Sequence, residues 1–246
     1  MATSVPIGIS GATGQMGRAL QALLQADSRF DLVARIGRGD AWDAMPRPEV
    51  VIDFSTPAGF AAALDFCRAN KVALVSGTTG LDAALQQAMA AAARTIPVLH
   101  AANFSLGIAV LTRALRDAAT ALPDWDLEIV EAHHARKADA PSGTALALGR
   151  AAAEARGQDF DAVAVLSREG RVGERRPGAI GFAAVRAADI VGEHTAILAT
   201  AGERLELTHR ATDRAIFARG ALVAAAWLAG KPAGAYSIRD VIDRAA

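Results

Sequence analysis

The sequence predicts an α/β protein: a doubly wound parallel sheet followed by a second, α+β domain built on a mixed or antiparallel sheet. Three observations carry this. Between Val5 and His100, short apolar runs alternate with helical stretches. A glycine-rich turn follows the first of those runs. From Ala162 to Ala211, four strand-like runs follow one another with no helix between them, the grouping of a separate sheet. With 246 residues, 52% of them hydrophobic, the chain is long enough for two domains with their own cores.

In order, Val5–Ser10 reads as a buried strand, Gln15–Gln25 as a helix and Phe30–Ile36 as the second strand. Val50–Phe54 is the third. It ends in Ser55-Thr56-Pro57, a start signal for the helix Ala58–Asn70, with Thr56 as cap and Pro57 in the first turn. Val72–Val75 is the fourth strand, and an alanine-rich helix to about Thr95 leads to the fifth, Ile96–His100. A helix from Ser105 to Ala121 follows. Residues Trp125–Val130 alternate polar and apolar, as a half-buried strand does, and the stretch from Ala145 to Glu154 is a strong helix former. The runs Ala162–Ser167, Ile180–Ala187, His194–Thr200 and Arg204–Ala211 supply the second sheet. The tail returns to helix at Phe217–Ala229 and Ile238–Arg244 and is expected to pack on the first domain. That makes residues 1–104 and 215–246 a dinucleotide-binding domain, with residues 105–214 inserted as the substrate domain.

Formal net charge is zero, so there is no electrostatic case for nucleic acid. No apolar run approaches bilayer length, and the first residues lack the basic-then-apolar layout of a signal peptide. Cys67 is the only cysteine, so no intrachain disulfide can form. The expectation is a soluble cytoplasmic protein with no membrane partner. Cys67 falls inside a helix and reads as core packing rather than as a nucleophile.

Gly11-Ala12-Thr13-Gly14-Gln15-Met16-Gly17 follows the first strand and opens the first helix. Glycines there permit a tight turn and close approach of backbone to a pyrophosphate, which makes the first domain Rossmann-like. The spacing departs from the dinucleotide fingerprint, since Ala12 stands where a glycine would be. A plain strand-to-helix turn is the competing reading. After the second strand no carboxylate appears until Asp40, whereas Arg38 suits the 2′-phosphate of NADPH, so NADPH is favoured over NADH. Arg38 also reads as an ordinary solvated charge. Gly77-Thr78-Thr79 and Ala101-Ala102-Asn103-Phe104 fall at later strand ends, where such sheets bind ligands, or serve as ordinary turns.

The most informative stretch runs from Glu131 to Thr144. It sets His133, His134 and Lys137 just before a Ser142-Gly143-Thr144 helix start. Histidine titrates near neutrality and suits general acid work. Lysine can hold a carboxylate, and the helix start offers N–H groups to a second anion. Adjacent histidines on an extended chain point to opposite sides, so the backbone bends there or one of them is structural. A metal held by the two histidines with Asp139 and Glu131 is the rival idea, but the usual i, i+4 histidine spacing is missing; no metal is expected. Arg168, Arg171, Arg175 and Arg176 lie in a glycine-rich stretch and read as a solvated, mobile loop.

At these residues the chain resembles the 4-hydroxy-tetrahydrodipicolinate reductase (dihydrodipicolinate reductase) family of bacterial lysine biosynthesis. The likeness rests on the segment Glu131 to Thr144 and runs nearly end to end. It also takes in Gly11–Gly17, Asp53-Phe54-Ser55, Gly77–Gly80, Ala101–Ser105, Ile180-Gly181-Phe182 and Asp189–Thr195. The resemblance implies reduction of a small cyclic dicarboxylate with NADH or NADPH. Gly11, Ala12, Thr13, Gly14, Gln15 and Met16 would hold the pyrophosphate, and Arg38 the adenosine ribose or its phosphate. Gly77, Thr78, Thr79, Ala101, Ala102, Asn103 and Phe104 would lie along the nicotinamide half. His133 would be the proton donor or acceptor and Lys137 a second donor. His134, Gly143 and Thr144 would bind the substrate's carboxylates, and the second domain's sheet would assemble a homotetramer. Two departures stand out: Gly37 replaces the acid the family often carries, and the link from Gly37 to Glu49 is shortened. A different nicotinamide reductase, and a nonenzymatic NADPH-sensing module, are the alternative functions on the same architecture.

Overall fold

The computed structural model describes residues 4–42 and 46–243. In chain order the elements are β1 (Val5–Ser10), α1 (Gln15–Gln25), β2 (Phe30–Ile36), β3 (Val50–Asp53), α2 (Pro57–Asn70), β4 (Ala73–Ser76), α3 (Ala83–Ala92) and β5 (Pro97–His100). Then come α4 (Leu106–Ala121), β6 (Asp126–His133), α5 (Gly143–Ala155), α6 (Phe160–Val163), β7 (Ala164–Val165), β8 (Ile180–Arg186), β9 (Gly192–Thr200) and β10 (Glu203–Ala211). The chain ends with α7 (Ala215–Leu228), β11 (Gly234–Tyr236) and α8 (Ile238–Ile242). It forms two compact units, Met1–Leu106 with Ala215–Ala246, and Gly107–Arg214. No helix among the described residues is long and apolar enough to cross a membrane.

The first unit is a parallel sheet in the order β11-β5-β4-β3-β1-β2. Its strands read as apolar runs because both faces are covered. On one face Ile7, Ile9, Ile52, Val75 and Leu99 pack with Leu20 and Leu24 of α1 and with Ala218, Ala221, Leu222 and Ala225 of α7. On the other, Val51, Leu74 and Val98 meet Phe60, Leu64 and Cys67 of α2. Burial pushes the Cys67 thiol up, with Asp53 adding to the shift, so this cysteine stays protonated inside the core. Thr56 caps α2 by accepting from Gly59 N–H, with Pro57 in the first turn.

Glycine is required where α7 meets the chain after β5. A Cβ at Gly220 would overlap the carbonyl oxygen of Phe104. The sequence reading did not foresee β11, a three-residue strand that extends the sheet beyond β5. Of the second tail helix, α8 covers Ile238–Ile242, and Arg244 lies outside the described residues.

The second unit has a five-stranded mixed sheet in the order β10-β9-β6-β8-β7. Strand β6 pairs antiparallel with β9 and parallel with β8. Leu127, Ile129, Ile180, Phe182, Ala196 and Leu198 pack against Leu111 and Leu115 of α4 and Leu148 and Ala152 of α5. Two expectations need correction. The run Ala162–Ser167 is mostly not strand, because Asp159 caps a short helix by accepting from Asp161 N–H and leaves only Ala164–Val165 to pair. Three of the loop arginines are anchored by specific partners, although Arg168 and Arg176 remain exposed as expected. Arg168 grips Glu128 with two bonds of 2.7 Å, Arg175 bonds Asp126, Glu128 and the Leu127 carbonyl, and Arg176 donates to the Ala162 carbonyl.

His194 sits on the helix-covered face of β9, opposite Glu131 in register, with Nε2 3.1 Å from Ser142 Oγ. Burial pushes its imidazole down from 6.5 to about 4, with nearby His133 adding to the shift.

Two outcomes follow from this packing. Gly220→Ala should cost about 2–4 kcal/mol in urea unfolding, because both overlapping groups are backbone-borne and neither can rotate away; an unchanged midpoint would mean the helix shifts freely. As pH falls from 6.5 to 4, an unfolded chain binds a proton at position 194 that the folded chain refuses, so stability present above pH 6.5 is lost through that window. His194→Asn should therefore flatten the fall of Tm across that range in calorimetry, and an equally steep fall would clear His194 of the effect.

Candidate active site

All the residues expected to hold a nucleotide lie in the first unit, on loops leaving the carboxyl edge of the parallel sheet. The strand order reverses direction at β1, between β2 and β3, which is where doubly wound sheets open a crevice. Gly11 adopts φ +79, and the N–H groups of Gly11 and Ala12 both donate to the Ile36 carbonyl. A Cβ at Gly17 would overlap the Gly11 carbonyl, and one at Gly11 would overlap the Phe54 carbonyl, so the turn is as tight as backbone allows. Gln21 ties it to α1 by donating to the carbonyls of Ala12 and Gly17. Helix α1 opens on Gly14 with no side-chain cap and no acid in its first turn. Thr13, Gly14 and Gln15 are exposed, while Ala12 is buried. An uncapped helix start on an exposed glycine turn fits a pyrophosphate.

The later loops are organised by Asp53, which has no exposed surface. Its carboxylate accepts from the hydroxyls of Ser55 at 2.5 Å, Ser76 at 2.8 Å and Thr78 at 2.7 Å. Thr78 Oγ1 accepts in turn from Ser55 N–H, and the Thr78 carbonyl lies 2.9 Å from His100 Nε2. A Cβ at Gly77 would overlap the ring of Phe54, which stands edge-on to Phe104 at 5.4 Å. Thr78 and Phe104 are therefore fastened inward, leaving Thr79 and Ala102 exposed. Arg38 is exposed past the end of β2, and Gly37 N–H donates to Asp40 Oδ2 at 2.7 Å.

The second unit brings His133, His134, Lys137, Gly143 and Thr144 onto the end of β6, the bend after it and the start of α5. Strand β6 runs to His133, further than the alternation suggested, so Glu131 and His133 share the helix-covered face. Lys137 N–H closes the bend on the His134 carbonyl, and Lys137 Nζ pairs with Asp139 at 2.8 Å. Ser142 caps α5 by accepting from Ala145 N–H, and its own N–H donates to Glu131 Oε1 at 3.0 Å. A Cβ at Gly143 would meet nothing within 4 Å, so the helix start is open on that side. Partial burial, then the nearby charges of Arg214, Arg136, His133 and Lys137, hold the His134 imidazole below its usual value. His134 is thus a neutral hydrogen-bonding ring set among cations, a suitable seat for an anion.

Sequence reasoning passed over Arg186 and His194 and treated Glu131 only as a motif member or metal ligand. Arg186 stands opposite His133 on β8 and grips Glu131 with both terminal nitrogens, at 2.8 and 2.7 Å. Its signal was the pair of acid and imidazole two apart on a strand.

The chain is similar to known proteins along its length. The family models for the dihydrodipicolinate reductase N-terminus and C-terminus match residues 5–104 and 107–242. A 4-hydroxy-tetrahydrodipicolinate reductase from Thiobacillus denitrificans (strain ATCC 25259 / T1) is 45% identical, over 97% of this chain and 98% of the relative. That alignment spans 263 positions against 246 residues here, so the relative carries segments this chain lacks. The dipicolinate-bound dihydrodipicolinate reductase from Paenisporosarcina sp. TG-14 shares the fold with a TM-score of 0.78 at 22% identity, over 96% of this chain and 98% of that one. A probable dehydrogenase from Thermotoga maritima shares it more distantly, with a TM-score of 0.57 at 14% identity, over 96% and 92% of the two chains. Both halves of this chain, each carrying its part of the chemistry described above, place it in the dihydrodipicolinate reductase family.

Proposed function

We propose that the chain catalyses the nicotinamide-nucleotide-dependent reduction of 4-hydroxy-tetrahydrodipicolinate to tetrahydrodipicolinate, a step of diaminopimelate and lysine biosynthesis. The observation that carries this is the match of both units to one reductase family, with a 45% identical relative of that name spanning 97% of the chain. The 4-hydroxyl leaves as water to give the unsaturated dihydrodipicolinate ring, and a bound nicotinamide would supply a hydride to a carbon of that ring. The chain must then hold two carboxylates and deliver one proton to the adjacent carbon.

The assignments follow from what each group can do. The backbone of Gly11 to Met16 and the start of α1 receive the pyrophosphate. Gly77 to Thr79 and Ala101 to Phe104 form the wall along the nicotinamide. Gly143 and Thr144 at the start of α5 take one substrate carboxylate, with neutral His134 as a further donor. Lys137 is the counter-ion, exchanging Asp139 for the substrate, and His133 is the proton donor. Fixing a dianion at both ends restricts it to a reactive pose before any bond changes. NADPH is the favoured cofactor, supported by the exposed Arg38 and by the lack of an acid at position 37. A homotetramer is the assembly we infer, supported by Val130, Val185 and Ile197 on the sheet face opposite the helices, where Val185 is 46% exposed. A cytoplasmic location suits a biosynthetic enzyme whose only cysteine is buried.

The decisive assay follows loss of reduced-nicotinamide absorbance when enzymatically generated substrate is added, with each cofactor separately. Oxidation is expected with NADPH, and its absence with both cofactors would overturn the function. In the same assay Lys137→Ala should raise KM and lower kcat, each by about tenfold or more; unchanged kinetics would remove Lys137 from the site. Arg38→Ala should cut kcat/KM for NADPH by about fivefold and leave that for NADH within about twofold, as befits one exposed charge pair. Equal losses with both cofactors would refute the 2′-phosphate contact.

A further inference from the structure

One carboxylate touches both His133 and the start of α5. Glu131 is 1% exposed. Its Oε1 accepts from Arg186 Nη2 at 2.7 Å and from Ser142 N–H at 3.0 Å, and its Oε2 accepts from Arg186 Nη1 at 2.8 Å and lies 2.5 Å from His133 Nδ1. Burial alone would raise its pKa, but Arg186, His133 and the Ser142 N–H outweigh burial and keep it below the usual carboxylate value. Glu131 is therefore ionised and can only accept. A ring nitrogen facing an acceptor-only group must carry hydrogen, so Nδ1 of His133 is N–H and Nε2 is the nitrogen left for chemistry. Space beside Nε2 is kept by Gly192, where a Cβ would stand 3.0 Å from it.

We propose that Glu131 is the positioning residue of the reaction, holding His133 as its Nδ1–H tautomer and, through Ser142 N–H, tying the carboxylate-binding start of α5 to the same frame. This rests on His133 being the proton donor. In the step itself, after the 4-hydroxyl has left as water, protonated His133 breaks its Nε2–H bond and gives that proton to the ring carbon adjacent to the one that would receive hydride. What remains is the neutral Nδ1–H ring, still bonded to Glu131, and water returns a proton to Nε2 before the next turnover. Glu131 takes no proton because Arg186 balances its charge in place. The other charged or titratable groups around the ring are His194, whose ring centroid is 5.1 Å away, together with His134 and Lys137 of the bend.

A glutamine at position 131 makes the tautomer testable. It replaces one oxygen with an NH2 donor, which must face one of two donor pairs. At the Oε1 side it would oppose Arg186 and Ser142 N–H, neither of which can become an acceptor. At the Oε2 side it would oppose Arg186 and His133, and His133 can answer by moving its proton to Nε2. Glu131→Gln should therefore keep the Ser142 contact and flip the His133 tautomer.

The experiment measures histidine ring nitrogen shifts in nitrogen-15 labelled protein, at a pH where His133 is neutral, with His133→Gln used to identify its signals. The parent should show protonated Nδ1 and Glu131→Gln protonated Nε2. In steady state, Glu131→Gln should lose about a hundredfold in kcat with KM changed by less than about threefold. A parent ring protonated at Nε2 overturns the proposal, and that spectrum decides the matter even if the variant fails to fold. Parental kcat in Glu131→Gln beside an inactive His133→Gln overturns the positioning role alone. Parental kcat in His133→Gln overturns the donor reading beneath it.

Discussion

A carboxylate taken out of water must be surrounded by donors, and this chain places one at or near a strand end in each unit. Asp53 closes β3 and collects three hydroxyls, from the loops that follow β3 and β4 and from the end of β4 itself. Glu131 lies near the end of β6 and collects a guanidinium, an imidazole and a backbone N–H. Ion pairs and charged hydrogen bonds of this kind contribute little net stability, since desolvation offsets most of the attraction. Their consequence is geometric. Removing the acid would leave its donors unpaired, at a cost of several kcal/mol, so the donors are confined to one arrangement. In both units those donors sit at strand ends or on the loops beside them, next to the residues of the proposed chemistry.

Small residues do the complementary work. Gly11, Gly17 and Gly77 let the loops at the sheet edge press on each other and on Phe54, and Gly220 lets α7 press on the chain after β5. Each contact brings backbone carbonyls or an aromatic ring nearer than any side chain would permit. The alanine-rich α7 extends the same logic, with Ala218, Ala221, Ala224 and Ala225 buried against the central strands. The proposed nucleotide half thus depends on what is absent from side chains, and the proposed proton-transfer half on what is present.

That contrast decides how far each half was legible in the sequence. Strands β1 and β2 and helix α1 have the extents the apolar runs suggested, because Gly11 and Gly37 follow the two strands and Gly14 precedes the helix. Strand β11 was illegible: Gly234-Ala235-Tyr236 has no periodicity to read and pairs only because the tail passes the exposed edge of β5. Arg168 and Arg175 looked solvated because their partners, Glu128 and Asp126, lie 40 and 49 residues earlier on a strand whose register the sequence does not disclose. Glu131 was recognisable as part of a motif but not as a hub. Two-residue periodicity puts it on the face of His133 once β6 is carried three residues further, yet Arg186 and His194 become its neighbours only through pairing with β8 and β9.

The adenosine side shows what a glycine at position 37 does to its neighbours. A side chain at position 37 would meet Asp40 Oδ2 and Thr13 Cγ2, each at 3.2 Å, so the end of β2 has little room for the acid often found there. Asp40, the next carboxylate along the chain, is turned back onto the Gly37 N–H at 2.7 Å. A carboxylate so engaged has less to offer the ribose hydroxyls, whose recognition by an acid favours the unphosphorylated nucleotide. Arg38 between them remains exposed. One exposed ion pair is worth up to about 1 kcal/mol, at most about fivefold in affinity. If Arg38 meets a 2′-phosphate as proposed, this arrangement would favour the phosphorylated cofactor without closing the site to the other.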